Sequence, residues 1–181
     1  MKKAILSLIF LGITFFGFTQ NTESSNLSSP KYIHKLGLHA GSTSGLGMSY
    51  KMLMKNKWMV QFVTLPVASK DYKYINSGLS LKCKVQDLDY WDFYVYGAGN
   101  YNFMQNSNYD YVYEPDYEEI FKGYEYEHRV NSSAGFSIEY GKGEFFKVSA
   151  QVGYGVYSIG TENWATNIAG GISLDFSLNS K

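Results

Sequence analysis

Seven ionisable side chains stand at alternating positions in segments otherwise rich in apolar residues: Lys51, Lys82, Lys84, Asp92, Glu139, Lys147 and Asp175. Four lysines and three carboxylates gathered on one surface can neutralise and hydrogen-bond one another away from water. That chemistry is electrostatic rather than catalytic: it fills a closed space with paired charge, or it lines a conducting one. The histidines, His34, His39 and His128, fall in different segments without the spacing of metal ligands. Ser42 and Ser44 follow His39 closely, but a hydrolytic serine needs a base oriented by a third group, and no spacing identifies that group. Gly45 and Gly47 lack the strand-to-helix context of a phosphate loop. The sequence therefore assigns no catalytic residue, no metal site and no cofactor.

A second stretch with chemical content runs from 105 to 121. It interleaves Tyr109, Tyr111, Tyr113 and Tyr117 with Asp110, Glu114, Asp116, Glu118 and Glu119. Tyrosine offers a large contact area with a polar tip, and clustered carboxylates can hold a hard cation, although no regular calcium-ligand spacing is present. It reads as a candidate surface-binding loop for a cation, peptide, glycan or neighbouring protein, or as a loop kept soluble by its charge. Its acidity would repel a nucleic-acid backbone, and no basic face offsets it. Nucleic acid is excluded as a partner.

These residues need strands to position them. The clearest is 144–158, EFFKVSAQVGYGVYS, where Phe146, Val148, Ala150, Val152, Tyr154 and Val156 alternate with Lys147, Ser149, Gln151, Gly153 and Gly155. A period of two places the sets on opposite faces. The length exceeds the usual 5–6 residues of a soluble strand and suits the roughly 9–11 residues of a strand tilted across a bilayer. Similar alternation predicts strands at about 32–40, 46–54, 58–66, 74–85, 90–104, 130–140 and 167–178, with Pro66 ending the third. In every case the charged residues fall opposite the apolar face. A lysine facing mid-bilayer would cost about 2–4 kcal/mol, so the polar face is expected inside and the apolar face against lipid. An interior of eight strands is filled by side chains, which favours a packed polar core over a pore.

The chain has 181 residues, zero formal net charge and a single cysteine, Cys83. It opens Met1-Lys2-Lys3 and continues apolar to Phe16, the form of a secretory signal. The expected organisation is a signal peptide at 1–19, a polar tether at 20–31, and one domain at 32–181. One cysteine excludes an intrachain disulfide framework. No later stretch is long and apolar enough for a membrane-spanning helix.

Eight strands, an even count, with short turns at 55–57, 86–89 and 141–143 and connections at 41–45, 67–73, 105–121 and 159–166, fit the two-sided asymmetry of bacterial membrane barrels. With the export signal, the Gly/Tyr-rich alternating strands and the amphipathic last strand ending near Phe176, the chain resembles the small outer-membrane β-barrel proteins of Gram-negative bacteria, especially the Bacteroidetes type. The fold class expected is all-β, an eight-stranded antiparallel up-and-down transmembrane β-barrel. The resemblance implies location in the cell outer membrane, outer-membrane lipid as surroundings, and insertion by the barrel assembly machinery, which reads the last strand. Two alternatives stand beside it. One is a soluble exported β-barrel that turns its apolar faces inward around a small apolar ligand; the other is an outer-membrane lipid-modifying enzyme.

Overall fold

The computed structural model describes residues 32–54, 57–69, 72–112, 118–141 and 145–178, with side chains described outside 109–122. The expected signal peptide and tether lie outside the described residues. The eight strands are β1 (Tyr32–Gly41), β2 (Gly45–Met54), β3 (Trp58–Ala68), β4 (Tyr72–Asp87), β5 (Trp91–Val112), β6 (Glu118–Tyr140), β7 (Phe146–Tyr157) and β8 (Ala165–Ser177). Each pairs antiparallel with the next, and β8 returns to β1, so backbone hydrogen bonding runs round a ring. No strand edge is left unpaired along the shared height, which is the main hazard of an isolated sheet.

The pairing gives a closed, eight-stranded antiparallel barrel in which each strand lies beside the next in sequence. Its strands are of unequal height, and the pairing says nothing of what surrounds them. The β1–β8 seam runs only from Lys35↔Ser177 to Gly41↔Gly171. By contrast, β5 and β6 pair from Trp91↔Tyr140 as far as Val112↔Glu118. Most of 105–121, expected as an irregular loop, is therefore the upper half of a hairpin; its tip at 113–117 lies outside the described residues. Tyrosine alternating with acids supports extended backbone without needing a buried face.

Pro66 does not end β3, which continues to Ala68. The pairing of β3 with β2 stops at Met48↔Thr64, so Pro66 pairs only with β4, opposite Ile75. A residue with no N–H is tolerated where one side of the strand has no partner. At the other end of the ring, β4 runs through Gln86 and Asp87 with an irregularity between Lys84 and Gln86.

The ring is inverted relative to a soluble core. Its outer surface carries Met48 (67% exposed), Phe136 (69%) and Ile168 (71%), with Leu38, Leu79, Val152 and Ile172 also exposed. Its interior holds Lys51 (0%), Lys82 (1%), Glu139, Asp175, Gln61, Ser49 and Ser173, all buried. Buried apolar residues are few: Leu53, Met59 and Tyr94 cluster with Ile33 against them, and Val63, Tyr96 and Ala169 are buried elsewhere in the ring.

Candidate functional site: the polar interior and the distal cup

Hereafter the end of the ring where β1 begins and β8 ends is called terminal, and the end where β1 leads into β2 is called distal. Strand alternation delivers every interior charge. Lys51 pairs with Asp175 at 2.5 Å, both fully buried, and its ammonium also donates to Ser173 Oγ at 2.9 Å and Ser149 Oγ at 3.2 Å. Glu139 pairs with Lys35. Toward the terminal end, Asp92 accepts from Lys84 at 2.8 Å and Lys147 at 3.1 Å, and Lys84 also reaches the exposed Asp87 at 3.1 Å. The Lys84 ammonium stands 5.9 Å from the centre of the Tyr94 ring. The seven sequence-selected residues thus form separate groups rather than one network.

Two features escaped the sequence. Lys35 lies on the inner face and supplies Glu139's counter-ion, a role that no spacing along the chain reveals. Lys82 has no carboxylate partner among the described residues: its ammonium donates to Gln151 Oε1 at 3.2 Å and Ser137 Oγ at 3.4 Å. A buried cation held by neutral dipoles is the costliest kind of interior charge.

The turn between β1 and β2 folds inward rather than standing outside as a loop. Thr43 and Ser44 are buried; Thr43 Oγ1 and Ser133 Oγ lie 2.5 Å apart across the ring. Ser44 Oγ sits 2.7 Å from His39 Nε2 and accepts from Gln151 Nε2 at 2.6 Å. Gly45 has φ +101° and Gly78 passes so close that a Cβ there would collide with the Ser44 carbonyl. The structure therefore unites His39 and Ser44, but the buried His39 Nδ1 has no partner. Ser44 is fully buried, so the pair lies inside the ring, and no acceptor among the described residues orients the imidazole. His34 and His128 lie apart from it, each within hydrogen-bond reach of a tyrosine hydroxyl, Tyr50 at 2.7 Å and Tyr101 at 2.6 Å.

The distal end opens into a cavity of about 600 Å³. Strand register builds its wall, because Asn76 faces Asn102 and Asn100 faces Asn131. Asn102 Oδ1 accepts from Asn76 Nδ2 and, at 3.3 Å, from Tyr74 OH. Asn100 Oδ1 accepts from Asn131 Nδ2 at 2.9 Å, while Asn131 Oδ1 accepts the Ser158 N–H at 2.8 Å. Glu127 and Arg129 at the rim pair with each other. The sequence signal was present, since strand alternation puts each of these asparagines on the inner face.

The expected surface-binding loop is only partly placed. Tyr109, Asp110, Tyr111, Glu118 and Glu119 lie on the paired backbone of the β5–β6 hairpin; Tyr113, Glu114, Asp116 and Tyr117 lie outside the described residues. No group of three or more His, Cys, Asp or Glu side chains among the described residues could hold a metal ion. The soluble alternative, with lysines outward and apolar faces inward, is the reverse of the burial found.

No family model matches the chain, and no curated protein matches it. Among solved structures it is similar to the N-terminal β-barrel domain of Pseudomonas aeruginosa OprF, at 12% identity and TM-score 0.42, over 80% of this chain and 96% of that one. It is also similar to Ail, the attachment invasion locus protein of Yersinia pestis, at 12% identity and TM-score 0.47, over 83% and 98% of the two chains. The likeness is weak. It is to outer-membrane β-barrel proteins and does not single out the Bacteroidetes type.

Proposed function

We propose that this chain is a small outer-membrane protein whose ring stands in lipid, sealed by its polar interior, with a structural or surface-interaction role. The observation that carries the reading is the inverted burial: most large apolar side chains are exposed on the outer surface while Lys51, Lys82, Glu139 and Asp175 are enclosed. A water-soluble monomer rarely exposes so continuous an apolar surface, whereas hydrocarbon would cover it at no cost.

Aromatic side chains support the same reading at two heights. Trp91 packs on Tyr140 at 4.4 Å and Phe146 on Phe176 at 5.2 Å toward the terminal end. Tyr101, Phe103, Tyr126 and His128 associate toward the distal end. Twelve residues of β6 separate His128 from Tyr140, roughly 40 Å of strand, or about 30 Å of height at the tilt of about 40° usual for such strands. That matches a hydrocarbon core of about 30 Å, and rings prefer its two borders.

In this reading the terminal end faces the periplasm, and the distal end, with the projecting β5–β6 hairpin, faces the exterior. Outer-membrane lipid surrounds the ring. The assembly machinery inserts it through β8, and the hairpin spanning 105–121 is where an external ligand or protein would dock. Eight interior charges, Lys35 among them, and the inward turn fill the ring, so the role is not conduction.

The test is cell fractionation of the full-length protein. It should co-sediment with outer membranes, resist carbonate and urea extraction, and migrate faster unheated than heated on a detergent gel. Release as a soluble monomer would refute the proposal. In planar bilayers no large stable conductance is expected; a steady open channel would contradict the sealed interior.

A further inference from the structure

We propose that the distal cup is a binding site for a neutral, hydroxyl-rich ligand, a mono- or disaccharide or the end of a glycan chain. Its volume of about 600 Å³ lies within the roughly 300–1,000 Å³ of small-molecule clefts. The lining side chains that matter are Tyr74, Asn76, Asn100, Asn102, Asn131 and Tyr157. Each carboxamide presents both donors and acceptors, the pairing that a sugar hydroxyl, itself donor and acceptor, requires. The two tyrosines add flat amphipathic surface; Tyr157 is fixed by its hydroxyl, which donates to Ile168 O at 3.0 Å and lies 2.9 Å from Ser42 Oγ.

The hydrogen bonds among these residues leave a defined remainder. The carbonyl oxygens of Asn100 and Asn102 are occupied by neighbouring donors, as described above, while no acceptor among the described residues takes their amide N–H groups. Those two amides sit two residues apart on the inner face of β5, a strand repeat of about 7 Å. That spacing is comparable to the width of one sugar ring. Charge selects the class. The only formal charges on the cup, Glu127 and Arg129, neutralise each other, so neither an anion nor a metal ion finds an unpaired counter-charge. Gly41 and Ser42, which lead into the buried Thr43–Ser44 turn, line the cup, and none of the interior lysines does.

The site is separate from the candidate loop at 105–121, and binding by purified protein does not depend on what surrounds the ring. The test is a ligand-observed NMR titration of the purified full-length protein with glucose, galactose, N-acetylglucosamine, maltose, lactose and chitobiose. Glucuronic acid and tetra-alanine serve as charged and peptide comparators. Asn100→Asp and Asn102→Asp keep the accepting oxygen and remove the donor, and heat-modifiable migration reports that each variant folds. At least one neutral saccharide should bind saturably, weaken about tenfold or more in each variant, and bind unchanged to Leu88→Ala at the opposite end. Failure of every neutral saccharide to bind, preference for glucuronic acid or the peptide, or binding unaltered in both Asp variants would overturn the proposal.

Discussion

The interior charges make distinct energetic predictions because their partners differ. Lys51 and Asp175 are a fully buried ion pair at 2.5 Å, so Asp175→Asn strands a buried ammonium and should destabilise by about 3–5 kcal/mol. Lys82 has only Gln151 and Ser137 to satisfy it. Replacing it removes a buried charge that touches no carboxylate among the described residues, and Lys82→Met should be neutral or stabilising. Urea unfolding midpoints of the refolded variants check both, and a Lys82→Met protein as damaged as Asp175→Asn would show that a counter-charge for Lys82 had been missed. The contrast was invisible in the sequence. Alternation placed Lys51, Lys82 and Asp175 on one face, but partner choice depends on strand register around the ring, which brings Asp175 of β8 to Lys51 of β2 and Lys35 of β1 to Glu139 of β6.

Elements were legible where one face is apolar. Segments such as Val148–Val156 and Leu36–Ala40 combine a strand period with opposite faces of clear chemistry, and β1, β2 and β7 fall close to the expected limits. The upper β5–β6 hairpin was not legible as strand, because its backbone pairing continues past the height at which the other strands end. Tyr124 and Tyr126 are exposed there, so the alternation is tyrosine against acid rather than apolar against polar. The β1–β2 turn was misplaced for a related reason: Ser42, Thr43 and Ser44 resemble any solvated turn, and only the small Gly78 behind them permits the inward fold. Gly78→Ala should expel Ser44 and cost about 1–3 kcal/mol, read as a lower urea midpoint; an unchanged midpoint would mean that the turn is not held by that contact. Replacing 107–123 by a short turn should leave the ring folded, with heat-modifiable migration intact, while abolishing any external docking at the hairpin. Loss of folding would instead make the hairpin part of the scaffold.

At the scale of the molecule, a hydrogen-bonded ring lets the chain do without disulfides or a large apolar core. Backbone groups are satisfied by neighbours on both sides, the condition a sheet must meet in hydrocarbon. The inner space is taken up by paired charge, serine hydroxyls and the inward turn. Among the described residues the outer surface is a large apolar area, and its surroundings decide what the protein is. Spin labels placed at single cysteines in a Cys83→Ser background of the reconstituted protein measure those surroundings directly. Labels at Val152 and Ile172 should be accessible to oxygen dissolved in the bilayer and shielded from a water-soluble relaxant, whereas labels at Gln151 and Ser173 should be shielded from both. Water-relaxant access at Val152 and Ile172 equal to that of a label in free solution would contradict a ring embedded in lipid.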